Sequence, residues 1–269
     1  MSSALGSQVP EAPQLVMPAA AQTVVTVIVA VVAVVALLAA AVLARRRHTP
    51  MYLLVLVGGA ISSINEPVAD LLGGIMHPRH GGWTVFATFD RPMPAWVVIA
   101  YGLFFGLVPL VVLELMRGGD PRSRLRRSIG VIFAANLLIE LPVLASGMYV
   151  YYGAQPLFVL GLFPLHWLVI NATGVAAIAV VLHRLGDRLR GARAVLLLVL
   201  PAMAQASALS VGVPAFSLYN SDAGLGWKWV GALLTVLLGV VALRALSGAV
   251  AGPVGPGATA PEPVGVLGR

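Results

Sequence analysis

The feature that most constrains this chain is a series of seven long apolar runs, each close to the roughly 20 residues a helix needs to cross the hydrocarbon of a bilayer. They fall at about 22–44, 51–75, 94–116, 128–149, 157–182, 193–212 and 227–247. Only 10% of the residues are charged and 59% are hydrophobic, against about 25% charged in a soluble domain. Such a chain has too few polar groups to cover its own surface. The fold class that follows is all-α, a polytopic, multi-pass integral membrane bundle of about seven transmembrane helices. The 269 residues provide one bundle, 22–247, between tails 1–21 and 248–269. Their Ser, Pro, Gln, Gly and Ala content predicts disorder. The first run ends on Arg45-Arg46-Arg47 without a convincing cleavage site, so it reads as a retained helix rather than a signal peptide.

The charges test this division independently. Lys and Arg total 17 against 10 Asp and Glu, yet the excess forms short clusters between apolar runs, which reports membrane orientation rather than a nucleic-acid partner. Arg45 to Arg47 follow the first run. Arg117, Arg122, Arg124, Arg126 and Arg127 follow the third, and Arg184, Arg188, Arg190 and Arg193 the fifth. The alternate loops hold only Arg79, Arg91 and Lys228. The positive-inside rule then predicts an outside N-terminus and a cytoplasmic C-terminus in the cell membrane. With no cysteine there is no disulfide framework and no thiolate ligand. His77 and His80 have loose metal-ligand spacing but no clear third ligand. Neither a metal nor another cofactor is expected.

Carboxylates inside apolar runs carry the most information, because each costs about 2.5 to 3.5 kcal/mol at a helix centre on insertion scales. Glu66 lies deep in the second run, with Asp70 one turn later on the same face. Ser62, Ser63 and Asn65 crowd the same stretch. Glu140 lies in the fourth run, one turn after Asn136, and at 1.5 Å per residue it reaches a depth comparable to Glu66. The two glutamates are expected to face one cavity. Each stands just ahead of a proline, Pro67 or Pro142, and a proline inside a helix frees a carbonyl and bends the chain. The fifth run adds His166, Trp167 and Asn171. A carboxyl group in apolar surroundings favours its neutral form and so acts as a proton donor. The plainer alternative is that such groups fix helix packing, at about 0.6 kcal/mol each; this alternative stays open for Asn136, Asn171 and Gln205.

The loops opposite the arginine clusters are rich in aromatics. Trp83, Phe86, Tyr149, Tyr219 and Trp227, with Asp222 in a turn, gather at this face. An interfacial aromatic belt accounts for such a pattern. So does a lining that steadies a cation, since each aromatic face contributes about 0.5 to 2 kcal/mol. The candidate catalytic residues are therefore Glu66, Glu140 and Asp70. Candidate contacts to a hydrophobic small molecule are Asn65, Trp83, Phe86, Tyr149, His166, Trp167, Asn171, Tyr219, Asp222 and Trp227.

The stretch Ile64-Asn65-Glu66-Pro67-Val68-Ala69-Asp70-Leu71-Leu72-Gly73, with His77-Pro78, Trp83-Thr84-Val85-Phe86 and Arg91-Pro92-Met93-Pro94 after it, resembles small actinobacterial integral-membrane cyclases. These are the membrane-bound terpene cyclases of prenylated indole and diketopiperazine pathways and, more distantly, the avermectin-type spirocyclase family. The resemblance spans the second to seventh runs. It implies a non-ionising cyclase in which a protonated carboxylic acid adds a proton to an alkene or epoxide of a prenylated, farnesylated precursor and a carbocation cascade closes rings. Glu66 matches the motif acid; Glu140 is a second candidate that the resemblance does not supply. Three alternatives remain beside it: a spirocyclase-like enzyme closing spiroketals on a polyketide, a proton-coupled small-molecule carrier, and a non-enzymatic lipid-binding or assembly protein. Against the carrier stand the lack of an internal repeat and an expected lack of acids in the inner half of the bundle. A retinal protein is excluded by the lack of a lysine in the middle of the seventh run.

Overall fold

The computed structural model describes residues 10–250. Seven helices in it are long and apolar enough to cross a membrane: Ala19–Arg46 (span 1), Met51–Gly73 (span 2), Ala95–Arg117 (span 3), Pro121–Ala145 (span 4), His166–Arg188 (span 5), Gly191–Tyr219 (span 6) and Leu225–Val250 (span 7). The protein is an all-α polytopic membrane bundle. Its three arginine clusters fall at one end, since each closes an odd-numbered span or opens the span after it.

Several boundaries move from their expected places, each for a local reason. Span 4 starts at Pro121 rather than near 128 because Asp120 caps it, accepting a hydrogen bond from the Ser123 amide at 2.9 Å, with Pro121 preset for a first turn. Its arginine run is helical although it is not apolar. Span 5 starts at His166 rather than 157 because the intervening apolar residues form a hairpin, Phe158–Val159 (β5) against Phe163–Pro164 (β6). Leu160 and Gly161 make the turn at positive φ. The N-terminal tail is shorter than expected. Span 1 begins at Ala19, Met17 is buried, and the Met17 amide donates to the His80 carbonyl at 2.8 Å. Gln22 donates to the Gly81 carbonyl at 3.2 Å and accepts from the Trp83 amide at 2.8 Å. Residues 1–9 and 251–269 lie outside the described residues, and with them part of the expected N-terminal tail and most of the expected C-terminal one.

Sequence periodicity gives no warning of the strands. Besides β5 and β6, Ile75–Met76 (β1) pairs antiparallel with Val150–Tyr151 (β4), and Thr84–Thr88 (β2) with Arg91–Pro94 (β3). All of them lie in the loops at the end opposite the arginine clusters. The β1–β4 pair matters most, because it ties the loop after span 2 to the loop after span 4 and closes that end of the bundle.

Span 2 is held tightly between its neighbours. A Cβ placed on Gly59 would lie 2.6 Å from the Gly106 nitrogen on span 3, and one on Gly58 would lie 2.6 Å from the Leu198 carbonyl oxygen on span 6. Small residues are what allow helix backbones to approach this closely within a bilayer. The helical geometry is irregular where it bears on the site. In span 2, Ser62–Asn65 tighten into a 3-10 turn before α-helix resumes at Glu66, and in span 3 Gly102–Leu107 widen into a π-helix directly after Tyr101. Such breaks in span geometry recur at functional sites.

Candidate functional site

Glu66, directly after the 3-10 turn, and Leu103, Phe104, Phe105 and Leu107 of the π segment line a cavity of about 390 Å³, within the roughly 300 to 1,000 Å³ typical of small-molecule sites. Spans 1 to 6 contribute to its walls. Glu66 and Glu140 both line it, as the sequence led one to expect.

Each glutamate ends a hydrogen-bonded chain that crosses between spans. On one side, Asn65 donates to the Gln205 side-chain oxygen at 2.9 Å and to the Ala202 carbonyl at 2.8 Å. Gln205 donates to the Tyr101 hydroxyl at 3.0 Å, and that hydroxyl donates to Glu66 Oε2. Among the described residues, Glu66 Oε1 makes no hydrogen bond. On the other side, Asn171 donates to Asn136 Oδ1 at 2.9 Å and Asn136 donates to Glu140 Oε1 at 3.2 Å. Neither glutamate forms an ion pair among the described residues. Ser62 and Ser63 serve the helix instead, donating to the Gly59 and Ala60 carbonyls at 2.6 and 2.7 Å. They support the 3-10 turn that presents Glu66.

Asp70 takes a different place from the one its spacing implied. It is fully buried behind the cavity wall, with Oδ2 at 3.2 Å from His77 Nδ1. His77 itself reaches the cavity, stacked on Tyr149 with ring centroids 5.2 Å apart and 5.9 Å from the Trp96 ring. Burial pushes His77 down to about 4 against an opposing pull from Glu66, with Arg91 adding to the downward shift, so the imidazole is neutral near pH 7. Burial likewise drives the Tyr151 phenol well above its ordinary value, with the carboxylates of Glu140, Glu66 and Asp70 adding to the effect. The wall beneath β1–β4 is thus a run of neutral aromatic groups: Trp96, Tyr149, Tyr151 and Trp167.

The structure divides the remaining candidates. Tyr149, Trp167 and Asn171 line the cavity. Asn65 stands behind it, acting through Gln205. His166 and Tyr219 lie outside it, around a much smaller pocket that also involves Gln155 and Lys228, and Tyr219 donates to the Tyr152 carbonyl at 2.9 Å. Trp83, Trp227 and Asp222 are exposed, and Phe86 sits half-buried on β2; none of these four lines the cavity. Tyr101 is the important residue that sequence reasoning missed. A single phenol in an apolar run has no motif, and only the π-helical segment beside it marks the position. A second omission is Glu114, near the arginine end of span 3, so that half of the bundle does hold an acid. Glu114 accepts from Tyr52 at 2.6 Å, from Arg117 at 2.6 Å and from Arg47 at 3.2 Å.

The class these features define is a multi-pass membrane protein with a cavity among its spans, lined by apolar and aromatic side chains and two glutamates. No family model, no curated protein and no solved structure matches the chain.

Proposed function

We propose that the protein is a membrane-bound terpene cyclase of the cell membrane, with its cavity toward the outer face. In this reading Glu66, as the neutral acid, protonates an alkene or epoxide of a prenylated precursor and so starts a carbocation cyclisation. One observation carries the reading. A carboxyl group without a cationic partner, oriented by the Tyr101 hydroxyl through Oε2, stands in the same cavity as Trp96, Tyr149, Tyr151 and Trp167. A general acid of this kind needs no metal. The aromatic faces steady positive charge as it moves along the chain, and a cavity within the bilayer excludes water that would quench a cation. The motif around Glu66, and its resemblance to the actinobacterial membrane cyclases, supports the same reading.

The proton balance is that of an isomerisation. The Glu66 proton forms a new C–H bond at the alkene, the alkene electrons being used, and rings close as successive double bonds attack the cation. The Glu66 carboxylate takes up a proton from a carbon beside the final cation, which restores one double bond and the neutral acid, and that acid exchanges with solvent between turnovers. Glu140, held by Asn136, is the second acid of the cavity.

The test is to incubate protein-containing membranes in D2O with a farnesylated indole or diketopiperazine. The product expected is an isomer carrying one non-exchangeable deuterium from solvent. An isomer without deuterium, or no isomer at any prenyl length, would contradict the proposal; in the second case a polyketide hydroxyketone becomes the substrate to test for spiroketal closure.

A further inference from the structure

The cavity wall is mostly buried or half-buried, and its few exposed residues point one way. Of all the residues that line it, only Ile28, Val32 and Ile139 are exposed, at 57%, 43% and 51%. A side chain that touches both a cavity and the outside stands at its rim. All three are apolar. Ile28 and Val32 lie one turn apart on span 1, on a single face, and Ile139 lies beside Glu140 on span 4. At 1.5 Å per residue, Ile28 is about 14 Å from the start of span 1 and Ile139 about 9 Å from the end of span 4, at the same side of the bundle, which puts the rim within hydrocarbon rather than at the water surface.

Both ends of the cavity are closed. The end near the strands is capped by β1–β4, whose neighbourhood places buried Ile75, His77 and Tyr149 against the cavity. Toward the arginine end, the fully buried Tyr52, Leu113 and Met116 fill the interior below it. Span 1, which supplies two of the three rim residues, buries a smaller share of its residues than any other span.

We infer that the cavity opens sideways into the bilayer through a cleft between spans 1 and 4, and that a single flexible hydrocarbon chain enters through it from the lipid. An aqueous ligand would have to cross an apolar rim at hydrocarbon depth, whereas an isoprenoid chain already dissolved in the leaflet meets that rim without leaving its solvent. That the occupant is a prenyl chain rests on the cyclase reading; the opening itself rests on the three exposed rim residues.

The experiment uses the full chain in phospholipid vesicles containing a photoreactive farnesyl ether with a diazirine on the chain. After irradiation, adducts are mapped by mass spectrometry. Wild type should carry adducts on cavity residues such as Tyr101. Two independent plugs, Ile28→Trp and Ile139→Trp, should each lose them, while Val35→Trp, on an exposed position of span 1 that does not line the cavity, should retain them. Cavity adducts undiminished in both plugged variants, adducts confined to lipid-facing surfaces in wild type, or equal loss in Val35→Trp would overturn the inference. The two proposals separate cleanly. Plug-sensitive adducts without an isomer from any prenylated substrate keep the portal and remove the cyclase reading, and full isomer formation by the plugged variants does the reverse.

Discussion

The two ends of the bundle treat a carboxylate within a span in opposite ways. At the arginine end, Glu114 is met by Arg47, Arg117 and the Tyr52 hydroxyl, all within 3.2 Å. At the cavity end, Glu66 is met by the Tyr101 hydroxyl and Glu140 by the Asn136 amide, with no cation on either. A carboxylate surrounded by guanidinium groups is a structural anion, and its charge is neutralised where it stands. An acid with only phenol and amide partners in an apolar cavity has no such compensation. The difference teaches that an acid inside a membrane span carries chemistry according to its partners and not merely its depth. Glu114 is tied to the arginines that flank it.

Substitutions can sharpen this contrast. The largest effect belongs to Glu66→Gln, which keeps the shape and loses the proton; cyclisation should fall by on the order of 10²- to 10⁴-fold, as for loss of a general acid, with unchanged insertion and thermal midpoint. Tyr101→Phe removes the hydroxyl that orients Glu66 and should lower turnover by about tenfold, equivalent to about 1.4 kcal/mol, in the same assay. A smaller effect concerns pH and stability. His77 has an ordinary value of 6.5 in the unfolded chain and about 4 in the fold. Between those values the unfolded chain binds a proton that the folded protein excludes. Stability is therefore complete above about pH 6.5 and declines as pH falls toward 4, by at most about 1.4 kcal/mol per pH unit. In thermal denaturation of detergent-solubilised protein, His77→Gln should flatten that decline. The smallest effect is at the other end. Glu114 is 31% exposed, so Glu114→Gln should cost about 1 kcal/mol or less, visible as a small drop in thermal midpoint with turnover preserved.

How far these features could be read from the sequence depends on how strongly each is marked. The seven spans were legible because apolar runs of that length have no other stable use. Glu66 and Glu140 were legible as cavity residues because a carboxyl within a span is costly enough to need a reason. Tyr101 was not, since one hydroxyl in an apolar run is cheap and its bond to Glu66 depends on how span 3 crosses span 2 at Gly59 and Gly106. The pairing of Asp70 with His77 was hidden for another reason. It depends on Gly74 turning the chain at positive φ and on the β1–β4 register, Ile75 with Tyr151 and Met76 with Val150, which two-residue strands do not signal. Trp83, Trp227 and Asp222 were overcounted because composition places aromatics at a membrane face without saying which way they point. Glu114 was overlooked because, three residues ahead of Arg117, it reads as part of a charged helix end.

The most direct test sets the two acids against each other in one assay. Wild type, Glu66→Gln and Glu114→Gln are expressed in membranes, inserted amounts are matched, and a farnesylated indole is supplied, with formation of an isomer of unchanged mass followed by chromatography and mass spectrometry. The account predicts an isomer from wild type and from Glu114→Gln and none from Glu66→Gln. Equal conversion by well-inserted Glu66→Gln, or loss of conversion in Glu114→Gln alone, would contradict it.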